Sequence, residues 1–270
     1  MKEVSQSLPQ VPQLLLDAGN FSWLQSPMNR IKTRYLIQGM NLLKVAVANL
    51  GWNELGRDLD YLRQMEQEAQ FPFISANIFL SNSSTPLVKP SIIKEFSLRP
   101  QGDNPQRELR VGILGLCDDT ARYNLSTSIF PKADIIPPQK AVAQALNDLR
   151  GKCHLVILLA ALPLEEARQL CREHQGIDII LGAFGVISNS SPLIEGNTII
   201  CYGGKDGEMI GELKLFLDEN LRISSHVYSL VPLEPWVGED QRMKKLIKDA
   251  NEEVSEFIKK SITSPAKKGK

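Results

Sequence analysis

His154-Leu155-Val156-Ile157-Leu158-Leu159-Ala160-Ala161-Leu162, Pro163-Leu164-Glu165-Glu166-Ala167-Arg168-Gln169-Leu170 and Gly176-Ile177-Asp178-Ile179-Ile180-Leu181-Gly182-Ala183-Phe184 follow one another in the chain, and the fold turns on them. The first run is apolar without alternation, the pattern of a strand buried on both faces. The second opens on proline and two glutamates, which suit a helix N-terminus, and puts Ala167 and Leu170 on one side. The third is again continuously apolar. Strand, helix and strand in this order make a βαβ unit with parallel strands and a right-handed crossover, the mark of an α/β fold.

Outward from this unit the alternation continues. Upstream, Pro137 to Lys152 has helical spacing, with Val142, Ala145, Leu146 and Leu149 inward, and Arg110 to Leu116 reads as a strand. Downstream, 197–204 and 210–217 read as consecutive antiparallel strands, with Gly203-Gly204-Lys205-Asp206-Gly207 as the hairpin between them. Asp218-Glu219-Asn220 is a second turn, 222–230 the returning strand, and 239–259 a charged helix. In the N-terminal half, Gln13 to Asn20 is a short strand ending in a glycine turn. A helix follows over 27–44, then a strand over 45–50, a helix over 54–69 and a strand over 71–78. Residues 81–106 are loop-rich around a strand at 92–96. The turn Leu50-Gly51-Trp52-Asn53-Glu54 lies where a strand hands over to a helix, the place where α/β proteins build their sites.

Composition narrows the function classes. Lys plus Arg equals Asp plus Glu at 31 each, so no net charge draws the chain to nucleic acid or an anionic membrane. No apolar run approaches the ~20 residues of a membrane span. Cys117, Cys153, Cys171 and Cys201 form no C-x-x-C pair for zinc, haem or redox work, and Cys153 and Cys201, beside or within apolar strands, read as plain buried thiols. Cys117, at a strand end, is the one candidate for a thiol function, testable by whether it reacts faster than the other three. Gly-x-Ser-x-Gly, P-loop and Gly-x-Gly-x-x-Gly patterns are absent.

Several of these blocks together resemble the calcineurin-like metallophosphoesterases of the 5′-nucleotidase branch. Phe71-Pro72-Phe73-Ile74-Ser75-Ala76-Asn77-Ile78 matches that family's Phe-Pro-Phe-Leu-Ser-Ala-Asn-Ile almost letter for letter, and Val111-Gly112-Ile113-Leu114-Gly115-Leu116 matches its Val-Gly-Ile-Ile-Gly-Leu. The resemblance covers roughly 13–235 and implies a four-layer α/β/β/α sandwich. It also implies a site of two metal ions held by Asp, His and Asn. At those places this chain departs from the family. Asn20 stands where a bridging Asp is expected, Trp52 where a metal-binding Asn is, and Asn53 where the leaving-group His is. Ala161, Phe184 and Val186 stand where three metal-binding His residues are. The family's opening Asp-x-His strand has no counterpart before Gln13, so the sandwich is expected to lack its usual first strand.

The expectation is therefore a catalytically degenerate phosphoesterase-like domain with no catalytic residue, no metal and no cofactor, acting as a binding or assembly module. The alternative is a residual metal-dependent phosphoesterase with an altered or partner-completed site. Trp52, Phe184 and Val186 should face one another across the vacated pocket, filling it or lining a cleft for an organic or peptide ligand of unknown identity. Asp17, Glu54, Cys117 and Asp118 are the remaining candidate cleft residues. His154, His174 and His226 read as surface or capping residues. A protein partner is expected to cover the missing-strand gap, or the N-terminal segment up to Pro12 to fill it in part, with no nucleic acid and no membrane span. The expected layout is an extended segment over 1–12, the domain over 13–235, a helix over 236–260 and a basic disordered tail over 261–270. Family members are often exported, so the location is periplasmic or extracellular if a leader has been removed, and otherwise cytoplasmic.

Overall fold

The computed structural model describes residues 11–22, 26–55, 59–98, 107–120, 132–184, 189–204, 207–234 and 236–263. The last helix runs over Gln241–Thr263 rather than 236–260, so 261–263 of the expected disordered tail are helical; 264–270 and most of the extended N-terminal segment lie outside these residues. In chain order the strands are β1 (Leu16–Asp17), β2 (Val47–Asn49), β3 (Phe73–Ile74), β4 (Ile78–Leu80), β5 (Ser91–Leu98) and β6 (Arg107–Cys117). They continue with β7 (Ala133–Ile135), β8 (Leu155–Ala161), β9 (Ile179–Gly182), β10 (Leu193–Glu195), β11 (Thr198–Tyr202), β12 (Met209–Leu217) and β13 (Ile223–Pro232). The helices are α1 (Pro27–Leu42), α2 (Trp52–Leu55), α3 (Leu59–Glu68), α4 (Pro138–Leu149), α5 (Leu164–Glu173) and α6 (Gln241–Thr263).

Two sheets carry the domain. One is parallel in the order β1-β2-β3; the other has the order β10-β11-β9-β8-β6-β5, parallel from β11 through β6 and antiparallel at both ends. Side chains two apart on a strand share a face, and this alternation sorts the apolar residues into three cores. Leu114, Leu116, Leu158, Ala160, Ile180 and Ile200 meet Val142, Ala145 and Leu149 of α4 and Ala167 and Leu170 of α5. Their alternates Val111, Ile113, Ile157, Leu159, Ile179 and Ile199 meet Val47 and Ile74 of the other sheet. Behind that sheet, Ala48 packs with Ile37 and Met40 of α1 and Tyr61, Leu62 and Met65 of α3. Helix, sheet, sheet and helix in this order make the expected four layers.

Helix ends follow local chemistry. Ser26 caps α1, its Oγ accepting from Asn29 N at 3.1 Å, and Pro27 occupies the first turn, where no N–H is needed. Helix α6 packs along α1: Gly39 lets Leu246 and Met243 approach, and Glu253 takes the Tyr35 hydroxyl at 3.0 Å and the Arg34 guanidinium. Among the described residues, no helix is long and apolar enough to cross a membrane.

One pairing differs from the sequence reading. β11 and β12 are not antiparallel neighbours: β11 lies parallel to β9 in the larger sheet, whereas β12 pairs with β13 in a separate hairpin. The glycine-rich 203–207 segment, whose residues 205–206 lie outside the described ones, therefore stands between strands of different sheets. Its composition signals a turn but carries no record of which strand lies on either side. The hairpin turn at Asp218 holds as expected, Oδ1 accepting from Asn220 N and Arg222 N at 2.8 Å each. The inner leucines of the hairpin, Leu213, Leu215 and Leu217, pack on the inter-sheet core together with Leu14, Leu16 and Ala18. Beyond β2, no strand among the described residues pairs with β1.

Candidate functional site

The loops that leave the carboxyl ends of β1, β2, β6, β8 and β9 carry the positions singled out above. Their centre is Glu54, on the one-turn helix α2 and fully buried. Its Oε1 accepts from Ser22 N at 2.8 Å; its Oε2 accepts from Asn20 N at 2.9 Å and Gly51 N at 2.8 Å. A buried carboxylate survives only when its charge is met by donors, and here three backbone amides from two loops meet it. Burial still pushes its carboxyl above the ordinary range, with the Ser22, Gly51 and Asn20 bonds pulling against it. Glu54 is thus a clamp between the β1 and β2 loops.

Asn20 extends the clamp to a third loop. It sits in the left-handed region at φ 60°, which asparagine tolerates better than most residues. Its Nδ2 donates to Ala183 O at 3.3 Å, beyond β9, and its Oδ1 accepts from Asn53 N at 3.4 Å. Asn53 Nδ2 in turn donates to Asn20 O at 3.3 Å. A Cβ on Gly51 would lie 2.1 Å from Asn20 Oδ1, so glycine is required where these loops touch. Neutral amides therefore stitch together the β1, β2 and β9 loops.

The apolar replacements go elsewhere. Trp52 packs on the core behind the small sheet and Phe184 on the core behind the large one, so the expectation that they face each other across one apolar pocket does not hold. Trp52 opens α2, on the side of the small sheet where α1 and α3 pack, and Phe184 follows β9 on the side of the large sheet where α4 and α5 pack. Val186 lies outside the described residues. Ala161 is fully buried at the end of β8, where its carbonyl accepts from Asp118 N at 3.0 Å. Asp118 is buried and accepts from Thr120 N at 2.8 Å and Thr120 Oγ1 at 2.7 Å. His154 Nδ1 accepts from Arg110 N at 3.0 Å at the far end of β8, and His174 caps α5. Among the described residues, no three His, Cys, Asp or Glu side chains gather closely enough to hold a metal ion.

Cys117 does not face solvent. It is fully buried, and burial first, then the charges of Glu54, Asp118 and Asp119, raise its thiol well above the usual value. A buried thiol whose ionisation is disfavoured is a poor nucleophile, which weakens the sequence-based case for a thiol function there. Cys201, also buried, is pushed up to about 12 by desolvation. With a thiol-reactive chromophore at pH 8, half-buried Cys153 and Cys171 are expected to label first, and Cys117 and Cys201 only on unfolding. Fast labelling of a Cys153→Ser, Cys171→Ser variant would reverse this order.

Sequence reading missed two asparagines. Asn49, fully buried at the end of β2, donates through Nδ2 to Ala18 O at 3.0 Å and Leu116 O at 2.8 Å, tying the small sheet to the large one. Asn77, also fully buried, donates to Cys117 O at 2.6 Å and Ile136 O at 3.0 Å and accepts from Cys117 N at 2.9 Å. A signal existed: an asparagine inside an apolar run must find buried partners, although the run does not say which.

An α/β/β/α sandwich with loops gathered at the strand ends has known counterparts. A structure of the sulfate thiohydrolase SoxB from Thermus thermophilus superimposes with TM-score 0.81 at 16% identity, covering 94% of this chain and 46% of that one. The calcineurin-like phosphoesterase YfkN from Bacillus subtilis superimposes with TM-score 0.79 at 17% identity, covering 96% and 89%. The fold is that of the calcineurin-like metallophosphoesterases. In sequence, the chain is 40% identical over 78 residues to the 2′,3′-cyclic-nucleotide 2′-phosphodiesterase/3′-nucleotidase of Salmonella typhimurium, and 33% identical over 125 residues to the protein UshA of Escherichia coli. Those alignments cover 29% and 46% of this chain but only 12% and 21% of the relatives. No family model matches. The chain thus shares its fold with these phosphoesterases and is similar in sequence, over part of its length, to nucleotidases; it spans less than half the length of these curated relatives.

Proposed function

We propose that this domain is a metal-free, catalytically silent form of the phosphoesterase fold that serves as a binding or assembly module. The Asn20–Asn53–Glu54 junction carries the reading: three loops that the family resemblance would tie together through metal ions are tied here by neutral amides and one carboxylate saturated with N–H bonds. A dinuclear centre needs several anionic or imidazole ligands with free lone pairs to activate water and hold phosphoryl oxygens. Asn20 and Glu54 already direct theirs at the backbone, and Ala161 and Phe184 have none to offer. Asn53 does not titrate, so it cannot protonate a leaving group. These residues do not fit the metal centre.

The edge of β1 away from β2, which no strand among the described residues pairs, supports the binding role. Leu16 and the preceding Leu14 and Leu15 are half-buried, Leu15 against one core and Leu14 and Leu16 against the other, and a strand edge with apolar sides is a template for a further strand. A partner that contributes one extended segment there would complete the small sheet.

Elemental analysis of protein purified with manganese and zinc and without chelator tests the reading. Fewer than about a tenth of an equivalent of metal per chain is expected, with no hydrolysis of phosphate esters. One equivalent or more, with turnover, would overturn it in favour of a residual phosphoesterase.

A further inference from the structure

Helix α6 carries two apolar stripes and uses one of them. Met243 and Leu246 meet Gly39 of α1, and Glu253 takes the Tyr35 hydroxyl and the Arg34 guanidinium. That stripe, continued by half-buried Ala250 and Phe257, lies on α1. Beside it, at helical spacing, run Ile247, Val254, Ile258 and Ile262. Val254 is half-buried at the boundary, but Ile247, Ile258 and Ile262 are 61%, 43% and 78% exposed. Single exposed apolar residues need no explanation, whereas a row of isoleucines along about four turns marks a contact surface. At its N-terminal end the row opens into a cavity of about 190 Å³ lined by Met243, Ile247, Lys244, Glu239 and Asp240. On the far side of the row from α1 runs a second line, Lys244, Lys248, Ser255 and Lys259, and no carboxylate of α6 stands between it and the isoleucines. Lys244 and Lys248 are well exposed, and their bonds to Glu239 at 2.7 Å and Glu252 at 3.7 Å are surface ion pairs that hold them weakly.

We propose that this face of α6 is a docking groove for a helix of a partner protein whose apolar side is flanked by Asp or Glu. The partner helix lies along Ile247, Val254, Ile258 and Ile262 and sets one apolar side chain into the cavity beside Met243 and Ile247. Its acidic flank turns to Lys248 and Lys259. Charge decides the occupant. A second copy of this chain would pair α6 with α6. In an antiparallel pair about a two-fold axis the same flank of each helix meets, which sets Lys248 of one copy against Lys259 of the other. In a parallel pair the lysine line needs the flank that α1 already covers. An anionic bilayer is flat and would press on Glu239 and Asp240 at the mouth of the cavity. The groove lies on a different element from the β1 edge and stands whether or not the strand-end loops hold metal, so it goes beyond the binding-module reading.

Methyl NMR of the isoleucine-labelled protein in EDTA, titrated with two synthetic helical peptides, is the test. Both peptides carry about three heptads with leucine at a and d; one has glutamate along one flank, the other lysine at the same places. The glutamate peptide should shift the methyls of Ile247, Ile258 and Ile262 and leave Ile113 and Ile157 in the large sheet unmoved. It should bind about tenfold or more tightly than the lysine peptide. Ile258→Ser should weaken the glutamate peptide by about tenfold or more, and Lys248→Glu with Lys259→Glu should reverse the preference between the two. All three positions are exposed, so these variants keep the fold. Equal binding of the two peptides, no binding of either at millimolar concentration, or shifts confined to other methyls would each overturn the docking groove. So would a dimer in sedimentation that Ile258→Ser dissolves, which makes a second copy the occupant, or flotation with phosphatidylglycerol vesicles that Ile262→Ser abolishes. Metal content enters none of these readouts, so the groove and the metal-free reading fail independently.

Discussion

Replacing Asn20 with Asp is expected to lower stability by about 2 kcal/mol in urea denaturation at pH 7.5 with EDTA present. The backbone is not the cause, since aspartate shares the tolerance of asparagine for φ 60°. The side-chain amide donates to Ala183 O at 3.3 Å, and a carboxylate there would set an oxygen against an oxygen. It would also add a third acid beside Glu54 and Asp17, both already pushed up by burial. The substitution restores the residue type that the family resemblance places at this position, so it separates the two readings. If the amide junction has replaced the metal, added manganese recovers none of the loss. Recovery of stability and phosphate-ester hydrolysis in millimolar manganese would show that a metal centre is still latent in these loops. Unchanged stability in EDTA would mean that the amide bonds contribute nothing.

Gly115→Ala is expected to cost about 3 kcal/mol or more, or to prevent folding, although it adds only a methyl group to a strand. That methyl would lie 2.2 Å from Asn49 Oδ1 and 2.9 Å from Ile74 O. Asn49 cannot swing aside without giving up the bonds from its Nδ2 to Ala18 O and Leu116 O. The unpaired Oδ1 of Asn49 is itself buried against this glycine, so the site has no slack. In a double-mutant cycle, Gly115→Ala with Asn49→Ala should cost less than the sum of the two single changes, because deleting the amide makes room for the methyl. Additive costs would show that the two residues do not press on one another, and a loss below about 1 kcal/mol would show that the sheets can part to admit a Cβ.

Much of the layered fold was legible in sequence because burial imposes period. In β6 and β8, Val111 and Ile113 against Leu114 and Leu116, and Ile157 and Leu159 against Leu158 and Ala160, serve cores on opposite faces. Runs apolar at every position can arise only between two covered faces, so helices on one side and a second sheet on the other were implied. The site was legible in composition: Asn20, Asn53, Ala161 and Phe184 could be named before any coordinates. Pairing was not. β11 reads like any antiparallel strand, and its place beside β9 depends on where the chain has already gone. The short strand β10 went unread because only three residues, two of them exposed to solvent, give no period to detect.

The sequence alone determined which chemical groups could stand at the strand ends, because residue identity fixes whether a side chain can ligate, titrate or only donate and accept hydrogen bonds. Tertiary structure decided what those groups are engaged with. Asn20 meets a carbonyl 163 residues away and Glu54 an amide 32 residues away. Hydrogen bonds act over about 3 Å and are blind to sequence distance, so only the completed order of strands and loops could select their partners.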